Sequence, residues 1–474
     1  RIVLVAAIPT LLLAAGTELF SSGIASFPLL WVLPLTLYLL SFIFAFSARI
    51  TIFDRFAFGP LVFLLLVPVL ITLPYIGMNA TAYWSTFILF LTFFFFVCLY
   101  FHRHLYTLRP RLSELGNFYV LMTFGGALGS GIVGLLLPIL LNDQIELYVL
   151  LAVLLVYFSR NYLEVLLRRI EKGHRRAVQL FVHVWAILFC FVMVFDTDAL
   201  LKDRNFYGTL LVQDSEQQID SQTVPIRSIY NGATNHGLQV LEGPYAHQPV
   251  SYYGPQSGVG VAIETLTQQE IAPRLLTVGL GAGVIAAYCD QVETIDFVEI
   301  NPAVVTIAQT YFTYLTQCPE KTTISVGDGR LVLEKLVNAT HLPFDIIVID
   351  AFTDDAIPTH LLTNEALLEA YLPLLSARGI IAFHISNRYL DLASPIAGVA
   401  EKHGLAAVVV AAPAGDIPLL QNPSVWVLVM PSEQVDAVLS HEHTVIYKGK
   451  TIVWTDEKNS VMQVLSLKGS VYQE

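Results

Sequence analysis

Charged residues are scarce in this chain. Asp, Glu, Lys and Arg make up 14% of its 474 residues, whereas 55% are hydrophobic, and the mean hydropathy is +0.63. This composition is too apolar for an ordinary soluble protein and implies a part embedded in a membrane. Three motifs are also absent: Gly-x-Ser-x-Gly, His-Glu-x-x-His and Cys-x-x-Cys. Their absence excludes three common kinds of site, and we expect no metal ion.

The apolar residues concentrate in residues 1–196, which we predict to form a multi-pass transmembrane helical domain. Each span has close to the ~20 residues that a helix needs to cross a bilayer, although the sixth is short. The seven predicted spans are roughly 2–20, 28–47, 57–76, 83–101, 117–141, 145–160 and 177–195. Because the chain begins with Arg1 rather than Met, we expect an upstream segment to have been removed.

Two local features of this domain stand out, one that suggests a function and one that predicts a contact between helices. Glu18, near the end of the first span, is the acidic residue placed closest to apolar surroundings, and an intramembrane acid suggests function unless it lies in the loop that follows. Small residues in the fifth span recur at a spacing that lets two helices pack closely: Gly125, Gly126, Gly129, Ser130 and Gly134.

One stretch of the C-terminal part predicts a nucleotide-binding turn. The strand-like run 275–279 leads directly into Gly279-Leu-Gly281-Ala-Gly283 and then into a helix-like segment. Glycines let the backbone turn tightly and approach a ligand, and the N-terminus of the following helix favours an anion. About twenty residues on, a second strand-like run ends in Glu299, whose carboxylate can accept both hydroxyls of a ribose.

Two further strand-like runs also end in acids. Residues 322–327 are followed by Asp328 and Gly329, and residues 345–349 by Asp350. Open α/β sheets bind ligands at the carboxyl ends of their strands, so the turn and the acids predict one site. Later strands are predicted at 379–385, 407–410 and 425–430. About seven strands are enough for a complete S-adenosylmethionine-type Rossmann-like sheet.

Short runs ahead of this sheet, at 206–212, 223–230 and 237–241, predict a small β-sheet. The predicted fold is therefore an α-helical membrane domain followed by an α/β Rossmann-like domain that a small β-sheet precedes. We assign the small β-domain to residues 205–265 and the Rossmann-like domain to residues 266–474.

These motifs together resemble the aminopropyltransferase (spermidine synthase) family. The resemblance rests on the glycine turn, Glu299, Gly327-Asp328-Gly329 and the loop Asp350-Ala-Phe-Thr-Asp-Asp355-Ala-Ile-Pro358. It is closer still to multi-pass membrane proteins with a C-terminal spermidine-synthase-like domain, through His360-Leu-Leu-Thr363 and His384-Ile-Ser-Asn-Arg-Tyr-Leu-Asp391. It covers most of the chain.

The resemblance implies a transferase that moves an aminopropyl group from decarboxylated S-adenosylmethionine to a polyamine or another amine. Asp350 would orient and deprotonate the attacking amine, and Asp355 would bind another positive nitrogen. His236 and Gln239 would contact substrate, and Tyr252 or Tyr253 would help to hold the amine. The donor would be held by Gly279, Gly281, Gly283 and Glu299, with Asp328 and Gly329 near the adenine.

Two departures from the family leave the activity open. Soluble synthases open the loop with Asp-Ser-Ser-Asp-Pro, whereas the stretch that follows Asp350 in this chain is longer and more apolar. A soluble polyamine also needs no membrane domain for its synthesis. A methyltransferase that uses intact S-adenosylmethionine is therefore an alternative, as is a transporter or sensor that binds a polyamine or nucleoside without turnover. Whether the chain forms a homodimer is also left open.

Charge is distributed unevenly along the chain. Residues 1–196 hold 12 Lys and Arg against 8 Asp and Glu, and the remainder holds 14 against 30. An acidic cleft would attract cationic amines and repel nucleic acid, unless the carboxylates only keep an exposed domain soluble.

The basic residues also predict sidedness in a bacterial-type inner or plasma membrane. With seven spans, all 12 fall on one side, and the opposite loops near 21–27, 77–82 and 142–144 have none. The positive-inside rule then places the C-terminal domain outside the cytoplasm. Cys289 and Cys318 end two neighbouring predicted helices, so we predict a disulfide between them in an oxidising compartment, with two unpaired thiols as the alternative.

Overall fold

Two compact units divide the chain in the computed structural model. The first comprises Arg1–Asp198 and Lys202–Thr209, and the second comprises Ala199–Leu201 and Leu210–Glu474. The predicted β-domain and Rossmann-like domain thus lie largely within one unit. The structure describes residues 1–21, 28–47, 58–73, 80–166, 172–194, 199–219, 222–232, 234–339, 341–352, 358–387, 390–415 and 421–465.

Long helices occupy all seven predicted spans of the first unit. They are α1 (Ile2–Ser21), α2 (Pro28–Phe46), α3 (Phe58–Thr72), α4 (Ala80–Thr107), α5 (Leu115–Gly131), α6 (Glu146–Leu166) and α7 (Lys172–Val194). Helix α5 continues through a π-helical turn, Ile132–Leu136, into Leu137–Leu140. Of the described segments, three are long and apolar enough to cross a membrane: Ile2–Phe20, Tyr83–Thr107 and Leu112–Leu140.

Small residues bring α1 and α5 together, as their spacing predicts. A Cβ atom at Gly125 would lie 2.5 Å from the carbonyl oxygen of Val3, and one at Gly129 would lie 2.5 Å from that of Ala7. Both distances are far below van der Waals contact. The two glycines therefore allow a backbone approach that any larger residue would prevent.

A buried arginine ties three segments of the first unit together. Arg204 contacts Glu18 at the end of α1, with 2.5 Å between Nη2 and Oε1, and also pairs with Glu146 at the start of α6. Lys202 contacts Asp143 in the preceding turn at 2.8 Å. Glu18 is therefore one of two carboxylates that neutralise Arg204. A buried charge is tolerated when it is paired in this way.

The predicted small β-sheet has four strands in sequential order. They are β1 (Ala199–Asn205), β2 (Gly208–Ile219), β3 (Gln222–Asn231) and β4 (Thr234–Val240). The sheet thus begins earlier than predicted and contains one more strand.

Eight strands form the large sheet of the second unit. They are β5 (Arg274–Val278), β6 (Thr294–Glu299), β7 (Thr322–Val326), β8 (Phe344–Ile349), β9 (Leu375–His384), β10 (Ala406–Ala412), β11 (Ser424–Met430) and β12 (Thr444–Ile446). Their order in the sheet is β12-β10-β11-β9-β8-β5-β6-β7. Strands β5 to β9 pair in parallel, while β11 pairs antiparallel with both β9 and β10. The strand order reverses between β5 and β8, which is where such sheets bind ligands.

Helices cover this sheet on its two faces because its central strands are apolar on both sides. They are α8 (Gly258–Thr267), α9 (Pro302–Tyr311), α10 (Tyr314–Gln317), α11 (Gly329–Val337), α12 (Ala393–Lys402) and α13 (Val435–Leu439). The predicted disulfide is present between Cys289 and Cys318.

One local prediction was wrong. The glycine turn leads into a short 3₁₀ segment, Val284–Tyr288, rather than a full helix. Further along the chain, a π-helical turn, Ala366–Tyr371, is followed by a 3₁₀ turn and then by strand β9. The last strand of the sheet, Thr444–Ile446, lies at its edge.

Candidate active site

The four predicted strand ends meet at one edge of the large sheet. Strand β5 ends before Gly279, β6 ends at Glu299, β7 ends shortly before Asp328, and β8 ends before Asp350. Their parallel register places the four ends side by side. The glycine turn and Asp350 flank the point where the strand order reverses, so they lie in the crevice where a ligand is expected.

The glycine turn is shaped by left-handed backbone and by close contacts. Gly279, Gly281 and Gly283 have φ values of +107°, +53° and +79°. A Cβ atom at Gly279 would lie 2.3 Å from the carbonyl oxygen of Asp350, and one at Gly281 would lie 2.1 Å from that of His236. Only glycine fits at these two positions. The five-residue 3₁₀ segment that follows is too short for a helix dipole, so the predicted anion site at its N-terminus has no support.

Glu299 is almost fully buried, and its carboxylate accepts a hydrogen bond from the backbone of the glycine turn. Its two carboxylate oxygens accept hydrogen bonds from the backbone N–H groups of Leu280, at 3.0 Å, and Asn301, at 2.9 Å. Burial raises the pKa of the Glu299 carboxyl, and these N–H donors oppose that rise. Each oxygen keeps a second lone pair, so the carboxylate can still accept a ribose hydroxyl.

Asp328 and Gly329 begin helix α11. One Asp328 oxygen caps the helix by accepting the N–H of Leu331 at 3.0 Å. Its other oxygen lies 3.5 Å from Nε2 of His360. A Cβ atom at Gly329 would lie 2.4 Å from a methyl group of Val278, so glycine lets α11 pack against β5.

Asp350 lies at the centre of a hydrogen-bonded chain. Tyr253 donates its hydroxyl to one carboxylate oxygen, and Nδ1 of His384 lies 2.7 Å from the other. The Asp350 side chain is only 6% exposed and that of His384 only 8%. Nε2 of His384 lies 2.8 Å from the hydroxyl oxygen of Ser386, which extends the chain.

Tyr252 and Tyr253 are held in place by a strained residue before them. Ser251 has a φ of +62°, and Asn422 bonds both its carbonyl oxygen, at 3.1 Å, and its hydroxyl, at 3.0 Å. Burial, followed by the charge of Asp350, raises the pKa of both tyrosines. Tyr253 therefore acts as a hydrogen-bond donor to Asp350. The ring of Tyr252 stacks on His384, with 4.9 Å between centroids.

The predicted acceptor-binding residues lie in different surroundings. Gln239 uses both ends of its carboxamide within the protein, since it bonds the carbonyl of Ala246 and both the N–H and hydroxyl of Thr313. Nε2 of His236 is buried without a hydrogen-bond partner among the described residues, and burial lowers the pKa of this histidine. Asp355 lies outside the described residues.

Three residues of this site received no role from the sequence: His384, Ser386 and Trp426. The segment that begins at His384 was singled out only for its resemblance to the membrane proteins. Trp426 lies directly opposite His384 in the register between β11 and β9, and their rings stack at 4.5 Å. One feature of the sequence could have identified His384 as a site residue: its position at the end of the strand that follows β8.

Comparison with known proteins finds a partial relative. The chain is 34% identical over 111 residues to the polyamine aminopropyltransferase of Vibrio vulnificus (strain CMCP6). That match covers 23% of this chain and 36% of the relative, so the chain spans about a third of that relative's length. A scan against models of protein families finds no match.

Solved structures with similar folds include two spermidine synthases. A probable spermidine synthase from Corynebacterium glutamicum ATCC 13032 has a TM-score of 0.41 and 14% identity, over 55% of this chain and 97% of its own. The spermidine synthase from Thermotoga maritima has a TM-score of 0.34 and 13% identity, over 57% of this chain and 84% of its own.

Proposed function

We propose that this chain is a membrane-anchored aminopropyltransferase. It would transfer the aminopropyl group of decarboxylated S-adenosylmethionine to an amine acceptor, with Asp350 as the base. One observation carries the proposal. Asp350 directly follows strand β8 at the reversal of the strand order, beside the glycine turn and Glu299, with the Tyr253 hydroxyl donating to one carboxylate oxygen and Nδ1 of His384 at 2.7 Å from the other. The relative named a polyamine aminopropyltransferase supports the same chemistry.

The reaction requires a neutral amine and an aligned donor. The amine nitrogen attacks the carbon next to the sulfonium, the new carbon–nitrogen bond forms, and the old carbon–sulfur bond breaks. Its electron pair stays on sulfur, which leaves as a neutral thioether and needs no acid. The proton that the nitrogen loses passes to Asp350 and then to solvent. Orientation supplies much of such a rate, and proton transfer adds about 10²–10⁴-fold.

The donor would lie over the glycine turn, with its ribose on Glu299 and its adenine near Asp328. The acceptor would lie on the Asp350 side, where Tyr252 and Tyr253 form part of the wall. The excess of acidic residues after position 196 supports a cationic acceptor, because it attracts amines to this part of the chain.

Membrane anchoring is supported by the surface of the first unit. Large apolar side chains are exposed along several helices, and they are far more numerous than on the surface of a soluble protein. Examples that are more than half exposed are Leu4, Ile43, Ile88, Val120, Ile139, Leu180, Phe181 and Ile187. A bilayer would cover these side chains.

Incubation of the detergent-purified full chain with a panel of di- and polyamines tests the function. Each amine is offered with decarboxylated and with intact S-adenosylmethionine, and products are measured by mass spectrometry. We expect an acceptor that gains one aminopropyl group, together with methylthioadenosine, only with the decarboxylated donor. A methylated product would make the chain a methyltransferase. Saturable binding without any product would favour a transporter or sensor.

A further inference from the structure

A histidine with no assigned role lies against the proposed base. His384 ends strand β9, and its Nδ1 lies 2.7 Å from Oδ1 of Asp350 at the end of neighbouring β8. Its other ring nitrogen, Nε2, lies 2.8 Å from the hydroxyl oxygen of Ser386. Both ring nitrogens therefore have a partner.

The partners define which nitrogen carries the proton. The backbone N–H of Val425 donates to the hydroxyl oxygen of Ser386 at 2.9 Å, which leaves the Ser386 hydrogen free to point at Nε2. An ionised Asp350 can only accept, so it receives the hydrogen on Nδ1 of His384. This assignment follows from the hydrogen-bond network. In this series of hydrogen bonds, which runs from Ser386 through His384 to Asp350, each donor then points towards Asp350.

Aromatic rings fix the plane of the imidazole. Tyr252 and Trp426 stack on His384 at centroid distances of 4.9 and 4.5 Å, with angles of 15° and 22° between ring planes. Phe352 meets the ring edge-on at 4.9 Å. The ring of His384 cannot turn without displacing these neighbours, so its Nδ1–H bond keeps one direction.

We propose that His384 is a positioning residue that holds the carboxylate of Asp350 in its reactive orientation. This inference rests on the proposed function and adds a residue to it. Tyr253 on one oxygen and His384 on the other stop the carboxylate from rotating about its χ2 bond. The remaining lone pairs then face the crevice, where the acceptor nitrogen must release its proton. Ser386 supports the arrangement by donating its hydroxyl to Nε2, the ring nitrogen that carries no proton.

Two substitutions separate the hydrogen bond from the ring. His384→Asn keeps an N–H donor near the position of Nδ1 but removes the stacked ring, whereas His384→Phe keeps a stacked ring but removes the donor. We expect His384→Phe to lower kcat about 10- to 100-fold while KM for the acceptor changes less than about threefold, and His384→Asn to stay within about fivefold of the unaltered chain. The reverse order, or equal losses in both variants, would overturn the proposal. So would a loss that lies entirely in KM.

A second readout does not depend on turnover. Nitrogen-15 NMR of the full chain labelled at histidine reports the protonated ring nitrogen, and the His384→Phe spectrum identifies the signal. We expect Nδ1 protonated and Nε2 bare, and we expect Ser386→Ala to keep this tautomer, because an ionised Asp350 can accept only from Nδ1–H. A signal with Nε2 protonated in the unaltered chain would overturn the inference. If no donor and amine react, the proposed function fails, and this spectrum still decides whether His384 donates to Asp350.

Discussion

Each carboxylate oxygen of Asp350 has a hydrogen-bond partner, the Tyr253 hydroxyl on one and Nδ1 of His384 on the other. The backbone N–H of Asp350 also bonds the carbonyl of Val278 at 2.9 Å, so the residue is anchored to the neighbouring strand β5. The position at the reversal of the strand order therefore favours a chemical role for Asp350.

Replacement of Asp350 by Asn removes the base with little change in shape. We expect Asp350→Asn to lower the rate of transfer about 10²- to 10⁴-fold, since that is what a positioned base contributes. The affinity for the nucleoside donor should change less than about threefold, because we propose that its ribose binds Glu299 rather than Asp350. Kinetic assays and calorimetric titration of the full chain measure both quantities.

Asp345 provides a matched control on the same strand. It lies at the opposite end of β8, where its carboxylate accepts the N–H of Arg274 at 3.1 Å. Asp345→Asn should leave the transfer rate unchanged. Equal rates in the unaltered chain and Asp350→Asn would remove Asp350 from the mechanism.

At the scale of elements, the crevice depends on how closely β5 and β8 approach at their carboxyl ends. Gly279 makes this approach with a φ of +107° and with the carbonyl of Asp350 against its Cα. Any side chain there would push the turn away from Asp350. The absence of a side chain at Gly279 therefore determines how closely the glycine turn, where we propose that the donor binds, approaches the proposed base.

Gly279→Ala tests this dependence. We expect it to cost about 3 kcal/mol of stability or more, because backbone strain and overpacking each contribute roughly 1–3 kcal/mol. Gly243→Ala is the control, since Gly243 has a φ of +85° but nothing within 4 Å of an added Cβ. It should cost only about 1–2 kcal/mol. Scanning fluorimetry of the full chain should show the larger shift for Gly279→Ala, and equal shifts would mean that the contact with Asp350 is unimportant.

At the scale of the whole molecule, the distribution of basic residues predicts sidedness. We propose that the C-terminal domain lies outside the cytoplasm, because the 12 Lys and Arg of residues 1–196 fall on one side of seven spans. The Cys289–Cys318 disulfide is consistent with an oxidising compartment. The nucleoside donor would then have to be delivered to that side, since it is made in the cytoplasm.

Exposed reporter cysteines test the sidedness. Cys289 and Cys318 are buried, so each reporter is placed instead at an exposed residue, in the Glu457→Cys and Ser113→Cys variants. A membrane-impermeant thiol reagent should label Glu457→Cys in intact cells and Ser113→Cys only after lysis. The opposite pattern would place the C-terminal domain in the cytoplasm.

Much of the fold follows from local patterns in the sequence. Apolar runs of helical length predict all seven long helices, and the small residues of α5 predict its contact with α1. Strand-like runs that end in a glycine turn or an acid predict the parallel strands and their shared edge. These features can be read from the sequence because burial and backbone freedom impose a short, regular spacing on the residues involved.

The partners of each site residue depend instead on strand order and register. His384 meets Asp350 because β9 pairs with β8, and Trp426 covers His384 because β11 inserts antiparallel beside β9. The carboxamide of Gln239 bonds Thr313, which lies 74 residues further along the chain. The local spacing of residues in the sequence does not predict such contacts between distant residues, because the contacts depend on the order and register of the strands in the folded sheet.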